Sequence, residues 1–324
     1  MKKIALEEAV IVPGQEHYVP EHKTHPEFSE HFNALLDMGE QRIKAMDDGG
    51  IALSILSLTT PGAQGLVTDE PVWALVRQWN DYLSDKVALY PKRFKALAAL
   101  PTSDVQAAID EAVRIASLPA FVGIMLNGFD NCQRQPASYF DEPKYRPLWS
   151  KIAELNIPVY LHPRSVPDNR ETTYQPYAAL RGAAWGFHIE TAEHVLRLIF
   201  SGLFDEYPHL NVLIGHMGEM LPFWAWRIDH RVALEGWKDK IKCRLSVTDY
   251  LKRNIFITTS GIFNTPALMH AIAVVGADRI MYSVDYPYEE VKDAADWFNK
   301  LVLPKTEKEA IAYHNAANLF DLNM

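Results

Sequence analysis

The sequence predicts an α/β protein folded as a (β/α)8 TIM barrel. Three observations predict this fold, and the first is a series of eight short apolar runs of the type found in buried parallel strands. The second is that amphipathic helical segments fill the intervals between these runs. The third is the length of 324 residues, which suits one large barrel with insertions. We therefore expect residues 1–324 to form a single barrel domain.

The predicted strands are short runs rich in aliphatic and β-branched residues. In chain order they cover residues 4–7, 53–58, 94–100, 121–126, 158–162, 211–216, 255–260 and 279–285. Runs of this kind are typical of strands that are covered on both faces. Eight strands that alternate with helices favour a closed barrel over an open sheet.

The predicted helices show apolar residues at every third or fourth position. This periodicity is clear in residues 69–90 and 104–118, and it recurs across 192–199. An open, doubly wound sheet is the alternative arrangement of such units. No Gly-x-Gly-x-x-Gly pattern follows the first predicted strand, which argues against the nucleotide-binding form of that sheet.

Two long insertions, after strands 1 and 5, interrupt the alternation. Residues 10–32 are rich in His, Pro and Glu, and residues 163–186 carry several Pro, Tyr and Arg residues. Loops of this length in a compact domain usually have a function or lack order. Since both follow predicted strands, we expect them to lie over the catalytic face of the barrel.

The composition limits the classes of partner and the compartment. The formal net charge of −9 does not provide the basic field that attracts nucleic acid. No run approaches the roughly 20 apolar residues of a membrane-spanning helix, and Met1-Lys2-Lys3 leads into a strand instead of a signal peptide. The two cysteines lie far apart in sequence. We therefore expect a cytoplasmic protein without nucleic-acid or membrane partners.

Potential metal ligands stand at the ends of four predicted strands. Glu7 ends the first, His162 the fifth, His216 the sixth and Asp285 the eighth. The carboxyl ends of barrel strands meet at one mouth, and imidazole with carboxylate suits zinc, manganese or iron. Each residue alone has a structural explanation, such as Asp285 capping a helix that begins near Pro287. Four such residues at equivalent places instead favour a shared metal site.

Each of these four residues lies within a distinctive motif. The motifs are Leu6-Glu7-Glu8-Ala9, Tyr160-Leu161-His162-Pro163-Arg164, Gly215-His216-Met217-Gly218-Glu219 and Ser283-Val284-Asp285-Tyr286-Pro287-Tyr288-Glu289. They resemble the signatures of the amidohydrolase superfamily. The most similar branch contains the ortho-hydroxybenzoate decarboxylases, which act on 2,3- or 2,6-dihydroxybenzoate or on salicylate. The resemblance continues through Trp226-Arg227-Ile228-Asp229-His230 and Asn315-Ala316-Ala317-Asn318-Leu319-Phe320.

The resemblance implies a TIM barrel of the amidohydrolase type with one divalent metal ion, held by Glu7, His162 and Asp285. Zinc or manganese is the expected ion, with magnesium as an alternative. Many relatives have a histidine where this chain has Ala9, so only three protein ligands are expected and open positions remain for substrate or water. The fourth predicted strand contains no lysine, so the carbamate bridge of binuclear relatives is not expected.

The resemblance also implies the reaction, which is the reversible, non-oxidative decarboxylation of a small aromatic acid in the breakdown of aromatic compounds. Asp285 is the candidate acid that protonates the ring carbon bearing the carboxylate. His216 would stabilise developing charge or relay the proton, and Glu219 would fix the tautomer of His216. A carboxylate that merely favours the first turn of a helix is an equally good explanation of Glu219.

The sequence and the resemblance also suggest residues that contact the substrate and a state of assembly. Asn127 is a candidate donor to a ring hydroxyl, Phe187 a candidate ring contact, and Arg227 a partner for the substrate carboxylate from across a subunit boundary. A structural salt bridge is an equal alternative for Arg227, and a structural position is expected for His188. The resemblance implies a homodimer or homotetramer.

Two alternative functions are considered. The first is a mononuclear metal-dependent hydrolase of a lactone or amide, and the second is a non-catalytic barrel that only binds or assembles.

Overall fold

In the computed structural model, which describes residues 1–19 and 29–322, eight parallel strands lie side by side in chain order. The strands are β1 (Lys3–Val10), β2 (Ile51–Leu58), β3 (Phe94–Ala99), β4 (Phe121–Asn127), β5 (Val159–His162), β6 (Val212–Ile214), β7 (Ile255–Thr258) and β8 (Ile280–Met281). Consecutive parallel strands need a crossover between them, and helices supply it. The predicted (β/α)8 barrel is confirmed.

Helices surround the strands and extend over both ends of the barrel. Those in the described part of the chain are α1 (Ser29–Leu36), α2 (Glu40–Gly49), α3 (Val72–Leu89), α4 (Val105–Ala116), α5 (Arg146–Leu155), α6 (Gly186–Phe200), α7 (Leu203–Glu206), α8 (His216–Glu219), α9 (Leu221–Leu234), α10 (Val247–Arg253), α11 (Thr265–Val275), α12 (Val291–Lys300), α13 (Lys305–Glu309) and α14 (Asn315–Leu319). Side-chain caps stabilise the starts of α4, α10 and α11. For example, the Asp104 carboxylate accepts the backbone N–H groups of Gln106 and Ala107 and so caps α4.

Contacts between β1 and the segment after β8 close the barrel. Leu6 and Ser283 form a parallel bridge, and the Ser283 hydroxyl donates to the Leu6 carbonyl. The Val284 N–H donates to the Glu8 carboxylate at 3.0 Å. This closure brings Glu7 and Asp285 to adjacent positions at the mouth of the barrel.

The interior of the barrel is filled by side chains and is not a pore. A buried apolar cluster from the strands fills it: Ile4, Leu6, Leu53, Ile55, Leu97, Met125, Tyr160, Leu213 and Met281, together with Ala316 and Phe320. Phe320 lies beside Gly123, near the start of β4, and therefore closes the amino-terminal end of the barrel. A functional site is therefore expected at the carboxyl-terminal mouth of the barrel.

Glu7 lies inside β1, so the prediction that it ends the first strand is wrong. The strand continues to Val10, and its register with β2 shifts between Ala5 and Glu8. Within this bulge Glu7 has a φ of 62°. Leu6 packs in the barrel interior, and the Glu7 carboxylate contacts the interior Tyr160 hydroxyl. The bulge therefore turns two consecutive side chains inward, which a regular strand does not do.

The insertion after β5 contains short 3₁₀ turns at Asp168–Tyr174 and Ala178–Arg181. The insertion after β1 includes a similar turn at Gln15–Tyr18, and its residues 20–28 lie outside the described part of the chain. Across 1–19 and 29–322, no helix combines the length and the apolar character needed to cross a bilayer. Both cysteines are free thiols.

Candidate metal centre and active site

Four side chains from within or after separate strands meet at the carboxyl-terminal mouth. Ligand atoms of Glu7, His162 and Asp285 all lie within 4.8 Å of one another. Glu7 Oε1 is 3.2 Å from His162 Nε2 and 3.5 Å from His216 Nε2. His216 Nε2 is also 3.5 Å from Asp285 Oδ2. The structure thus brings the four residues together, although 278 positions separate Glu7 from Asp285 (285 minus 7).

The two oxygens of the Glu7 carboxylate have different surroundings. Oε2 accepts hydrogen bonds from the hydroxyls of Tyr160, Ser260 and, at 3.3 Å, Thr258. Oε1 is buried and has no well-formed hydrogen bond to any described residue. Burial alone would raise the pKa of Glu7, but the neighbouring His216 and His162 lower it to about 2. Glu7 is therefore an ionised carboxylate with one oxygen held in place and the other facing the cluster.

This donor set fits a divalent metal ion. A buried carboxylate oxygen without a partner is costly unless a cation or a donor occupies the space in front of it. His162 and Asp285 present one further nitrogen and oxygen donor at the same point. Imidazole with carboxylate oxygens is the ligand set that zinc and manganese accept. Three protein ligands leave coordination positions open for a substrate.

The backbone is left-handed at several residues of the site. Glu7, His216, Glu219 and Asp285 have φ values of 62°, 48°, 51° and 79°. Non-glycine residues in this region carry strain of about 1–3 kcal/mol each and concentrate at functional sites. The geometry of the mouth is therefore maintained at a cost in stability, as expected of a catalytic centre.

Asp285 lies in a turn that follows β8. Its carbonyl accepts the N–H of Tyr288 at 2.8 Å, and the next helix, α12, begins only at Val291. The alternative in which Asp285 caps a helix near Pro287 is therefore wrong. Burial raises the pKa of Asp285, which favours the protonated acid, against the opposing effect of His216.

Glu219 bridges two imidazoles. Its Oε1 is 2.7 Å from His216 Nδ1, and its Oε2 is 2.6 Å from His188 Nδ1. The Glu219 side chain is fully buried, and α8 is a single turn whose Met217 and Gly218 have non-helical backbone angles. The alternative in which Glu219 only favours the first turn of a helix therefore does not explain its contacts with His216 and His188.

The sequence predicts a structural position for His188, whereas the structure places it in the site. No spacing pattern signals this contact, because α6 and α8 approach each other only in the folded chain. The sequence does not predict the Tyr160 hydroxyl as part of the site either, since a tyrosine in a buried apolar strand is expected to be a core residue.

The His216 imidazole is influenced by both burial and neighbouring carboxylates. Burial lowers the pKa of His216, but Glu219 and Glu7 outweigh this effect and raise the pKa well above its usual value.

The three candidate substrate-binding residues lie in different environments. Asn127 ends β4 beside His162, and its Oδ1 is buried without a hydrogen-bond partner in the described residues. Phe187 is half-buried in the first turn of α6, next to His188. Arg227 is exposed on α9 and has no hydrogen-bond or ion-pair partner within 1–19 and 29–322. An ion pair within these two described ranges therefore does not account for Arg227.

A mainly apolar cavity of about 550 Å³ opens beside His216. Its wall includes Trp185, Met217, Phe223, Ile262 and His270. Aromatic and aliphatic walls with a few converging polar groups are typical of sites that bind small aromatic molecules.

Replacement of Tyr160 by phenylalanine is expected to lower the affinity for manganese about 10–100-fold. The change removes one of the hydroxyls that hold Glu7 Oε2, so the carboxylate is less well oriented towards the cation. Competition against a fluorescent chelator measures this affinity. Tyr282→Phe is the matched control, because the Tyr282 hydroxyl is buried without a partner in the described residues. Equal affinities in the two variants would contradict the prediction.

The sequence is similar to a known protein family and to known decarboxylases. The amidohydrolase family model matches residues 17–322. The gamma-resorcylate decarboxylase of Polaromonas sp. (strain JS666) is 40% identical over 326 aligned residues, which cover 99% of each chain. The gamma-resorcylate decarboxylase of Rhizobium sp. (strain MTP-10005) is also 40% identical, over 99% of this chain and 98% of its own length.

Solved structures agree with this similarity. A crystal structure of 2,6-dihydroxybenzoate decarboxylase in complex with 2,6-dihydroxybenzoate superposes with a TM-score of 0.95 at 40% identity, covering 99% of this chain and 100% of that one. The dihydroxybenzoic acid decarboxylase of Polaromonas sp. JS666, with bound manganese and the inhibitor 2-nitroresorcinol, also gives 0.95 at 39% identity. That match covers 100% of this chain and 98% of the other.

Proposed function

The chain belongs to the amidohydrolase family, and from this premise we infer that it is a metal-dependent decarboxylase whose substrate is 2,6-dihydroxybenzoate. The observation that carries the proposal is the convergence of Glu7, His162 and Asp285 beside His216 at the mouth of the barrel. The choice of substrate rests on the relatives, whose structures contain 2,6-dihydroxybenzoate or the similarly substituted 2-nitroresorcinol.

We propose that Glu7, His162 and Asp285 hold one divalent cation. The unpartnered Glu7 Oε1 and the mixed oxygen and nitrogen donors support this assignment. Manganese is the first choice because it is bound in similar decarboxylases, with zinc and magnesium as alternatives. When bound, the cation supplies a Lewis acid that attracts the carboxylate and ortho-hydroxyl oxygens and favours phenolate charge.

The reaction takes up one proton and releases CO2, so the site must deliver a proton to the ring. Asp285 donates it to the carbon that bears the carboxylate, and burial raises the pKa of Asp285, which favours the protonated form that this step requires. The C–C bond then breaks, its electron pair returns to the ring, and aromaticity is restored. His216, 3.5 Å from Asp285 Oδ2, stabilises the resulting carboxylate and returns a proton to it.

Asn127 and Phe187 position the ring in this proposal. The buried and unpartnered Oδ1 of Asn127 favours acceptance of a hydrogen bond from a ring hydroxyl, where the sequence predicts donation to it. Phe187 contributes an aromatic face at the start of α6.

We propose that the protein assembles as a homodimer or homotetramer through α9. Phe223 and Trp226 on this helix are 70% and 71% exposed, which is unusual for such large apolar side chains. Assembly through this face allows Arg227 to pair with the substrate carboxylate of a second copy. Light scattering after size-exclusion chromatography measures the number of copies, and a monomer at micromolar concentration would contradict the proposal.

The test of function is CO2 release by the purified, manganese-loaded protein. We expect 2,6-dihydroxybenzoate to be decarboxylated faster than 2,3-dihydroxybenzoate or salicylate. Exhaustive chelation is expected to stop the reaction, and added manganese to restore it. A panel of lactones and amides tests the hydrolase alternative. Hydrolysis of a lactone without CO2 release from any hydroxybenzoate would overturn the proposal.

A further inference from the structure

Glu219 is held from both sides by imidazoles that belong to different helices. His188 comes from α6 and His216 from α8, and their Nδ1 atoms lie 2.6 Å and 2.7 Å from the two carboxylate oxygens. The imidazole rings are nearly perpendicular, at 78°, with centroids 5.5 Å apart. His216 faces the metal cluster through its Nε2 atom. Among the described residues, His188 makes no polar contact with the metal cluster, so it reaches the cluster through Glu219 and through its ring contact with His216.

These distances fix the protons on both rings. An ionised carboxylate only accepts hydrogen bonds, so both Nδ1 atoms must carry a proton. His216 is thereby held with its Nδ1 proton on Glu219 and its Nε2 atom directed at Glu7 and Asp285. Without His188, Glu219 Oε2 would lose its partner while fully buried, which is costly for a carboxylate. The carboxylate would then turn or take up a proton, and His216 would lose its orientation.

The same three residues bring ligand atoms within 4.8 Å of one another and so resemble a second metal site. Two facts argue against a second ion. Both Nδ1 atoms are at hydrogen-bond distance from the carboxylate, and a protonated imidazole nitrogen does not bind a metal. The group is better described as a carboxylate clamped by two histidines.

We infer that His188 is a positioning residue, which holds the Glu219 carboxylate so that His216 keeps its Nδ1 proton on Glu219 and its orientation towards Asp285. The inference deepens the proposed function, because His216 serves Asp285 in the decarboxylation described above.

The kinetic test compares His188→Ala with His188→Asn. The alanine variant is expected to lower kcat about tenfold, the lower end of the effect of residues that orient active groups. KM for 2,6-dihydroxybenzoate and the affinity for manganese are expected to stay within about twofold, because His188 is not among the residues proposed to hold the ring or the cation. The asparagine amide donates from nearly the position of Nδ1, so His188→Asn should recover most of the activity. An asparagine variant as slow as the alanine variant would overturn the inference.

A double variant tests whether His188 acts through Glu219. If it does, His188→Ala combined with Glu219→Gln should be no slower than Glu219→Gln alone. Losses that multiply in the double variant would show an independent role and refute the inference. His194→Gln is the matched control on α6. His194 is also buried, but its Nε2 accepts the Phe140 N–H, so this change should affect thermal stability and leave kcat unaltered.

A readout without substrate separates this inference from the proposed function. In zinc-loaded protein labelled with ¹⁵N-histidine, long-range ¹H–¹⁵N spectra report which nitrogens of each ring carry a proton. We expect a fully protonated Nδ1 of His216 in the unmodified protein and in His188→Asn, and a partly deprotonated Nδ1 in His188→Ala. An unchanged His216 signal in His188→Ala would refute the inference even in an active enzyme. The expected change would support it even if hydroxybenzoates were not decarboxylated.

Discussion

Replacement of Asp285 by asparagine is expected to reduce CO2 release from 2,6-dihydroxybenzoate by about 10²–10⁴-fold, the contribution of a positioned general acid. The amide occupies the same space and still presents an oxygen, but it has no proton of suitable acidity for the ring carbon. Single-turnover measurements at saturating substrate isolate this chemical step from product release.

Metal content must be measured in the same variant, because Asp285 is also a proposed ligand. Asp285→Asn that keeps manganese but loses activity identifies Asp285 as the acid. Loss of both would assign Asp285 to metal binding alone. Asp296→Asn is the matched control, since Asp296 is a half-exposed residue of α12 paired with Lys292. Full activity of a manganese-loaded Asp285→Asn would contradict the proposed mechanism.

The barrel was predictable from the sequence because burial dictates its pattern. Parallel strands covered on both faces require nearly continuous apolar runs, and each of the eight predicted runs overlaps an observed strand. The lengths of the strands were less predictable. The eighth strand was expected over 279–285, but regular pairing is limited to Ile280–Met281. The polar segment that follows departs from strand geometry to place Asp285 in the mouth.

Parts of the site depend on geometry that sequence periodicity does not encode. The bulge at Glu7 is a backbone feature with a φ of 62°, and alternation of side chains cannot reveal it. The link from His188 to Glu219 joins two helices that are 31 residues apart at these positions. Arg227 is exposed on α9, so contacts within a single chain do not identify the group that it binds.

Replacement of His162 by alanine is expected to remove manganese binding, with a larger loss of affinity than the 10–100-fold caused by a supporting residue. His162 supplies the nitrogen nearest to the unpartnered Glu7 Oε1, at 3.2 Å, and no other described histidine reaches that oxygen as closely. Two carboxylates alone are a weaker and less selective site for this ion. Decarboxylation should be lost together with the metal.

Thermal unfolding provides a measurement that does not depend on activity. A ligand that binds only the folded state stabilises it by RT ln(1 + [L]/Kd), about 2.7 kcal/mol at 100 times Kd. Manganese should therefore raise the Tm of the unmodified protein and leave that of His162→Ala nearly unchanged. The exposed His209 provides the control His209→Ala, whose Tm should respond like that of the unmodified protein. An equal rise in the Tm of His162→Ala would show that manganese binds elsewhere, and the chemistry assigned to Asp285 and His216 would then lack its metal centre.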